Sequence, residues 1–388
     1  MSDDTYVAVT GSVDAVAALL TNPGKDWTED QEKALENLER WAVTPGGARY
    51  SALLGLAGTG KTTVATELIA RLREHGLSTI ICAPTGKAAS VLRRKGAEHA
   101  RTLHSALYEL DEAKSTDTNM VWKVRQDARR ATLAIVDEAS MLTVEMLNDL
   151  AGVVKRILLV GDPGQLPPVG GDPALAQAMP RHVLTTIHRQ AQDSGIVRFA
   201  HAVRSRMSVK EALRQGGKDV VQGLAPDPEQ VGIVLCATNA QRLSSNGEAR
   251  LMRGFRGKLP NEGETLMCLK NRRDGWCNGM TCKVLEIAQL DEERASLRAE
   301  CDDGQERDSI IWLDQLLSPK MLNWRDAPWG AEPFTYGYAA TVHKAQGSEW
   351  PLVEVVETWP VRKDDEETRR RWLYTAATRA KKTLYWAA

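Results

Sequence analysis

Tyr50-Ser51-Ala52-Leu53-Leu54-Gly55-Leu56-Ala57-Gly58-Thr59-Gly60-Lys61-Thr62 is the stretch on which the fold turns. An apolar run, Tyr50–Leu56, enters the pattern GxxxxGK[ST], and an amphipathic stretch over Lys61–His75 follows. The spacing predicts strand, glycine loop and helix, in that order. Glycines let successive backbone N–H groups wrap an anion, and the helix N-terminus adds a positive dipole. These residue types point to a triphosphate cradled by Gly58, Thr59, Gly60, Lys61, Thr62 and Thr63. Lys61 would reach the β- and γ-phosphates, and Thr62 would hold Mg²⁺.

Upstream, residues 1–25 read as irregular and end in the turn Asn22-Pro23-Gly24. Thr28-Glu29-Asp30-Gln31 has the form of a capping box opening a helix to about Trp41. Downstream, strands are predicted at Leu77–Ala83, Thr132–Val136 and Ile157–Val160, with helices at Thr85–Arg94, Leu103–Leu110 and Val144–Val153. Continuous apolar strands alternating with helices specify a parallel sheet covered on both faces.

The pattern restarts with helix Ile196–Arg206, strand Ile233–Ala237, helix Ala240–Arg253 and strand Thr265–Leu269. It closes with strands Tyr336–Ala340 and Leu352–Glu357, helix Glu366–Thr378 and strand Thr383–Trp386. A chain of 388 residues exceeds one ordinary core. The division expected is 1–184, with a small insertion at about 108–130, and 185–388, with a β insertion at about 271–333. The first insertion reads equally as a hairpin or a plain surface loop; Gly/Asp turns such as Asp274-Gly275 mark the second.

The formal net charge is -1, so no global basic field advertises a polyanionic partner, and any such contact must be local. The six cysteines form no CxxC pair and no zinc spacing, which points to reduced core thiols. MSDDTYVAVT lacks a basic segment followed by an apolar run, and no stretch approaches the ~18 apolar residues of a membrane span. A soluble cytoplasmic protein, in a bacterial cell or a phage-infected host, is the expectation. Eleven tryptophans against three phenylalanines should mostly serve packing.

Two further strand ends carry chemistry. Leu133–Val136 runs into Asp137 and Glu138, suited to holding Mg²⁺ through water and to polarising the attacking water. Gly161-Asp162-Pro163-Gly164-Gln165-Leu166-Pro167-Pro168-Val169 ends another strand, and Gln165 can reach toward a γ-phosphate from there.

GLAGTGKT, APTGKAA (83–89), TLHSAL (102–107), VDEAS (136–140) and GDPGQLPPV (161–169) occur in that order. Ile187-His188-Arg189-Gln190, Ala237-Thr238-Asn239, YAATVHKAQGSE (338–349) and LYTAATRA (373–380) follow. From about Trp27 to Lys382 this series resembles the superfamily 1 helicases, within them the RecD-like and Dda-like group, which move 5′ to 3′. The resemblance implies an α/β fold of two RecA-like domains with parallel sheets, a short hairpin in the first and an SH3-like β insertion in the second. It also implies ATP and Mg²⁺ as cofactors and single-stranded DNA as track, with replication or recombination proteins as partners.

By the same resemblance, Gln31 reads adenine, beyond its place in the capping box. Arg189 and Arg379 are the two arginine fingers, and Gly347 and Glu349 lie near the nucleotide's ribose. Pro84, Thr85, His104, Thr238, Asn239, Thr341 and His343 grip the strand. Thr265–Ile287 is similar to the family stretch entering the small β domain, with Met280 where an acid is usual. Trp122 is either a strand-separating wedge or a buried tryptophan. Arg93-Arg94-Lys95 and Arg369-Arg370-Arg371 read as solvated helix faces. An RNA track, a translocase that does not unwind, and a P-loop kinase or nucleotide-controlled switch remain open.

Overall fold

The computed structural model describes residues 27–110, 122–125, 128, 131–187, 193–270, 272, 275–357 and 365–387. The irregular N-terminal stretch, the tip of the first insertion, the Asp274 turn residue and the Arg189 segment therefore lie outside the described residues. From β1 (Tyr50–Gly55) the chain passes through β2 (Thr79–Ala83) and β3 (Arg101–Thr102). It then makes the antiparallel pair β4 (Tyr108–Leu110) and β5 (Trp122–Val124), and returns with β6 (Leu133–Val136), β7 (Arg156–Gly161) and β8 (Arg181–Leu184).

Apart from β4 and β5, these strands form one parallel sheet in the order β3-β2-β6-β7-β1-β8. Every residue of β6 is buried, and all but the first of β1 and β7. That is why those strands read as unbroken apolar runs: helices cover both faces and leave no polar side. The helix expected over Leu103–Leu110 stops at Leu107. Tyr108 turns extended (φ -120°, ψ 149°) and pairs with Val124, so three residues read as helix are strand. Only Leu184 of β8 is buried, so this edge strand carries no apolar signal that a sequence reading could use.

A second run begins with β9 (Val220–Gln222) and β10 (Ile233–Cys236). It continues through β11 (Thr265–Cys268), β12 (Thr281–Gln289), β13 (Arg294–Cys301), β14 (Glu306–Trp312) and β15 (Phe334–Tyr336), then β16 (Ala339–Thr341), β17 (Trp350–Val356) and β18 (Ala380–Ala387). β16-β10-β17-β18-β9 is a parallel sheet, and β14-β13-β12-β11-β15 is a separate antiparallel one. Two strand expectations change here. Thr265–Leu269 belongs to the antiparallel sheet, between β12 and β15. Tyr336–Ala340 is not one strand but two, split at Gly337, whose missing Cβ leaves room for Leu266 2.9 Å away.

The second parallel sheet packs its helices over Phe199, Trp372, Tyr374 and Trp386, and the antiparallel sheet has its own core around Trp276, Phe334 and Tyr336. Trp41, Trp276, Trp312, Trp350, Trp372 and Trp386 are all buried. The six cysteines are free, and among the described residues no helix is long and apolar enough to cross a membrane.

Candidate nucleotide site and nucleic-acid face

The sheet order puts three chemical strand ends side by side. β6, β7 and β1 are neighbours, so Asp137-Glu138, Asp162–Gln165 and the P-loop emerge at one edge. This is the carboxyl end of a parallel sheet, where open α/β folds take their ligands. Gly58 (φ 84°) and Gly60 (φ 81°) both adopt the left-handed backbone that glycine permits, turning the loop back on itself. At Gly55 a Cβ would lie 2.4 Å from Thr59 Oγ1, so the loop closes only over a bare glycine.

Lys61 Nζ donates to Leu56 O (3.1 Å) and sits 3.9 Å from Asp162 Oδ2. Asp162 is 1% exposed; its carboxylate accepts from Gly164 N–H (2.8 Å) and Tyr374 O–H (2.7 Å). Asp137 Oδ1 accepts from Glu138 N–H at 2.9 Å. Glu138 itself stands at φ 53°, a strained conformation for a side-chain-bearing residue and one that clusters at functional sites. Burial pushes the Asp137 carboxyl above its usual range, against the Glu138 N–H bond and the Lys61 charge. Burial also raises Glu138, reinforced by Asp137 and opposed by Arg379 and Lys61. The hydroxyl of Thr62 and the carboxylate of Asp137 are the hard oxygen donors that Mg²⁺ takes, few enough to leave positions for phosphate and water.

Gln165 is buried, and its Oε1 has no partner within the protein, as has the Ser140 hydroxyl oxygen. An orphaned amide oxygen at this strand end suits a residue whose partner arrives with a ligand. Gln31 is wholly buried: its Oε1 accepts from Thr28 N–H (3.2 Å), and its Nε2 donates to Thr59 O (2.9 Å). The cap is present, and the amide nitrogen ties the first helix to the P-loop.

Arg379 is 4% exposed and comes from the other parallel sheet, one residue before β18. Its guanidinium donates to Thr375 O, Ser348 O and Thr378 Oγ1, and its charge reaches Glu138. Glu349 is exposed and pairs with Lys381 at 3.2 Å. At Gly347 (φ +74°) an added Cβ would lie 3.0 Å from Ala88 Cβ and 3.2 Å from Thr85 Oγ1, so this turn stands against the start of the Gly86–Arg94 helix. Arg189, the other expected finger, falls outside the described residues, as does the Trp122 side chain.

The expected strand contacts form a repeated device. Thr85 just past β2, Thr238 just past β10 and Thr341 at the end of β16 each cap a helix, accepting from Ala88, Gln241 and Lys344 N–H. Thr102 at the end of β3 does the same for Ser105. β2 neighbours β3 and β10 neighbours β16, so each parallel sheet offers a pair of helix N-termini, beside Pro84 in the first and Asn239 in the second. His104 is exposed and tilted against Tyr108 at 5.2 Å; His343 is half-buried. Burial lowers both imidazoles below the usual range, which favours their neutral form.

Sequence reasoning passed over Tyr374 and His201. The first stood inside a quoted motif and the second inside a helix, and only the packing of distant elements gives either a polar partner in the P-loop.

A family model described as an AAA domain matches residues 27–228, and one described as a UvrD-like helicase C-terminal domain matches 336–386. The ATP-dependent RecD2 DNA helicase of Deinococcus radiodurans is 32% identical over 93% of this chain and 49% of its own length. The chain thus spans about half the length of that relative. Among solved structures, Pif1 helicases studied at forked double-stranded DNA match at 18% identity and TM-score 0.64, covering 94% of this chain and 92% of theirs. Bacteroides Pif1 bound to single-stranded DNA matches at 18% identity and TM-score 0.60, over 93% and 92%. At that identity the likeness establishes the fold, two RecA-like halves. Together with the motif series and the matched models, it makes this chain a member of the superfamily 1 helicases, in the group that includes RecD and Dda.

Proposed function

We propose that this chain is an ATP-driven motor that moves 5′ to 3′ along single-stranded DNA and separates duplex DNA ahead of it. Residues 1–184 and 185–388 act as its two jaws. The observation that carries the reading is that both jaws meet at the phosphate site: Lys61 stands 3.9 Å from Asp162, whose carboxylate accepts from Tyr374 of the other jaw, and the charge of the buried Arg379 favours an ionised Glu138. Lys61 and the amides of Gly58–Thr63 bind the phosphates, Glu138 orients and deprotonates the attacking water, and Gln165 aligns on the γ-phosphate. Thr62 and Asp137 would hold Mg²⁺, which would supply charge neutralisation to the phosphates. Arg379, with Arg189, is drawn toward the γ-phosphate, so the closed cleft binds ATP more tightly than the open one; loss of that phosphate releases it.

The paired helix caps grip backbone phosphates without reading bases, which lets a motor step on any sequence. Cytoplasmic work beside replication or recombination proteins follows from such a substrate. Duplexes with a 5′ or a 3′ single-stranded tail, incubated with ATP and Mg²⁺, test the proposal. Only the 5′-tailed duplex is expected to unwind, and Lys61→Ala should abolish ATPase while retaining DNA binding. Equal ATP turnover with and without oligonucleotide rejects the motor.

A further inference from the structure

Ala57, the third residue of GLAGTGKT, has both backbone polar groups held from the other half of the molecule. Its N–H donates to Tyr374 Oη at 2.6 Å. Its C=O accepts from His201 Nε2 at 3.1 Å, which requires the imidazole proton to sit on Nε2. Tyr374 stands on the Glu366–Ala377 helix and His201 on the Gly195–Arg204 helix, their rings edge to face 6.3 Å apart. Both helices bury against one core, and Leu56 and Ala57 pack on that core too.

The clamp continues into the phosphate site. Tyr374 is fully buried, and its own O–H passes on to Asp162 Oδ2, the oxygen that faces Lys61 at 3.9 Å. Gly164 admits the arrangement: a Cβ there would meet Leu56 Cδ2 at 2.9 Å and Tyr374 Cε1 at 3.1 Å.

The P-loop has little to hold itself. Its glycines are the residues with most backbone freedom to lose, and its internal bonds, from Thr59 N–H (3.4 Å), the Thr59 hydroxyl (2.9 Å) and Lys61 Nζ (3.1 Å), all end on Leu56 O and none holds Ala57. One bond would let the Ala57 residue swing, whereas two on opposite edges fix it. The Tyr374 O–H also shares the Asp162 carboxylate with Gly164, which weakens that carboxylate's hold on Lys61 and leaves the ammonium available to phosphate.

We propose that Tyr374 and His201 are positioning residues that hold the P-loop in its nucleotide-receiving shape, making nucleotide affinity depend on where the second half sits. This deepens the nucleotide part of the proposed function and does not depend on the DNA track.

The test is equilibrium binding of a fluorescent ADP analogue with Mg²⁺, beside steady-state ATPase with and without oligo(dT), on the full chain. Tyr374→Phe keeps the ring and removes the hydroxyl. It is expected to weaken analogue binding and raise KM for ATP by about five- to tenfold, the low end of what one unsatisfied buried donor costs, with kcat within about twofold. His201→Ala should act alike, while His201→Gln, which restores an N–H donor, should recover most of the loss. The Tyr374/His201 double variant should fall short of the product of the single effects, because both act through one peptide residue.

The proposal is overturned if Tyr374→Phe, melting like the parent protein, binds the analogue unchanged, or if His201→Ala and His201→Gln are equally impaired. The His201 pair keeps the test decisive even if the tyrosine variant does not fold. An ATPase indifferent to oligo(dT), with weakened analogue binding in the variants, would sink the motor and leave the clamp standing.

Discussion

Glu138 combines two costs at one residue: a left-handed backbone and a carboxylate placed beside Asp137 in a site that burial makes unfavourable for charge. A carboxyl raised above its unfolded value favours the fold only while protonated; that contribution is lost as pH rises through the folded value. Glu138→Gln keeps the shape and removes the charge. It is expected to abolish hydrolysis while raising the melting temperature at pH 8, by a gain of roughly 0.5–2 kcal/mol. The gain should vanish as pH is lowered below 4.5, where the unfolded glutamate is itself neutral. A variant no more stable than the parent at pH 8 would contradict the account. His104 and His343 follow the same logic with opposite sign, burial favouring their neutral form.

The Asn239–Met252 helix carries the strand contacts proposed for the second half. Its N-terminus carries Thr238 and Asn239, and Asn239 Oδ1 accepts from Arg242 Nε at 3.2 Å. Arg242 is itself buried against Thr335 Oγ1 and Ser318 O. Near the other end, Arg250 makes a two-pronged bond to the fully buried Glu264 (2.7 and 2.9 Å) and lies 3.9 Å over the Tyr336 ring. The helix is thereby fastened at both ends to the antiparallel sheet. Arg250→Met would leave Glu264 as an uncompensated buried charge, and a loss of about 3–5 kcal/mol is expected in denaturant unfolding of the second half. A loss under about 1 kcal/mol would mean that the pair is not what anchors the helix.

Across the whole molecule, the halves meet through an apolar patch, Leu56, Ala57 and Leu166 on the second half's core, and through specific polar bonds. Asp30, on the first helix, accepts from Thr185 and Thr186 N–H just past β8 (2.7 and 2.9 Å). Burial opposes its charge, yet these bonds and the Thr28 hydroxyl bring its pKa to about 2. Lys87 pairs with Asp302 of the antiparallel sheet at 2.9 Å and lies over the Trp350 ring. On the proposed grip by helix N-termini, and with a net charge of -1, DNA binding should release few counterions. The slope of log K against log salt is expected to be about -2 or shallower for oligo(dT); a slope near about -5 would reveal a basic groove instead.

The P-loop, the strand-borne Asp137-Glu138 and the alternation of strands and helices were all legible from the chain itself. Each depends on neighbours in sequence: glycine spacing, an apolar run, an acid at its end. Short-range patterning likewise marked the Thr28 cap, since a capping box uses a residue and the one three positions on. Tertiary structure decided the rest. Thr265–Cys268 looks like any apolar strand until its antiparallel partners are known, and β8 hides among polar residues because an edge strand need bury little. Tyr374 and His201 acquire their partner only when helices more than a hundred residues away pack onto Ala57. Hydrogen bonds across such distances are fixed by how elements stack, which no local pattern encodes.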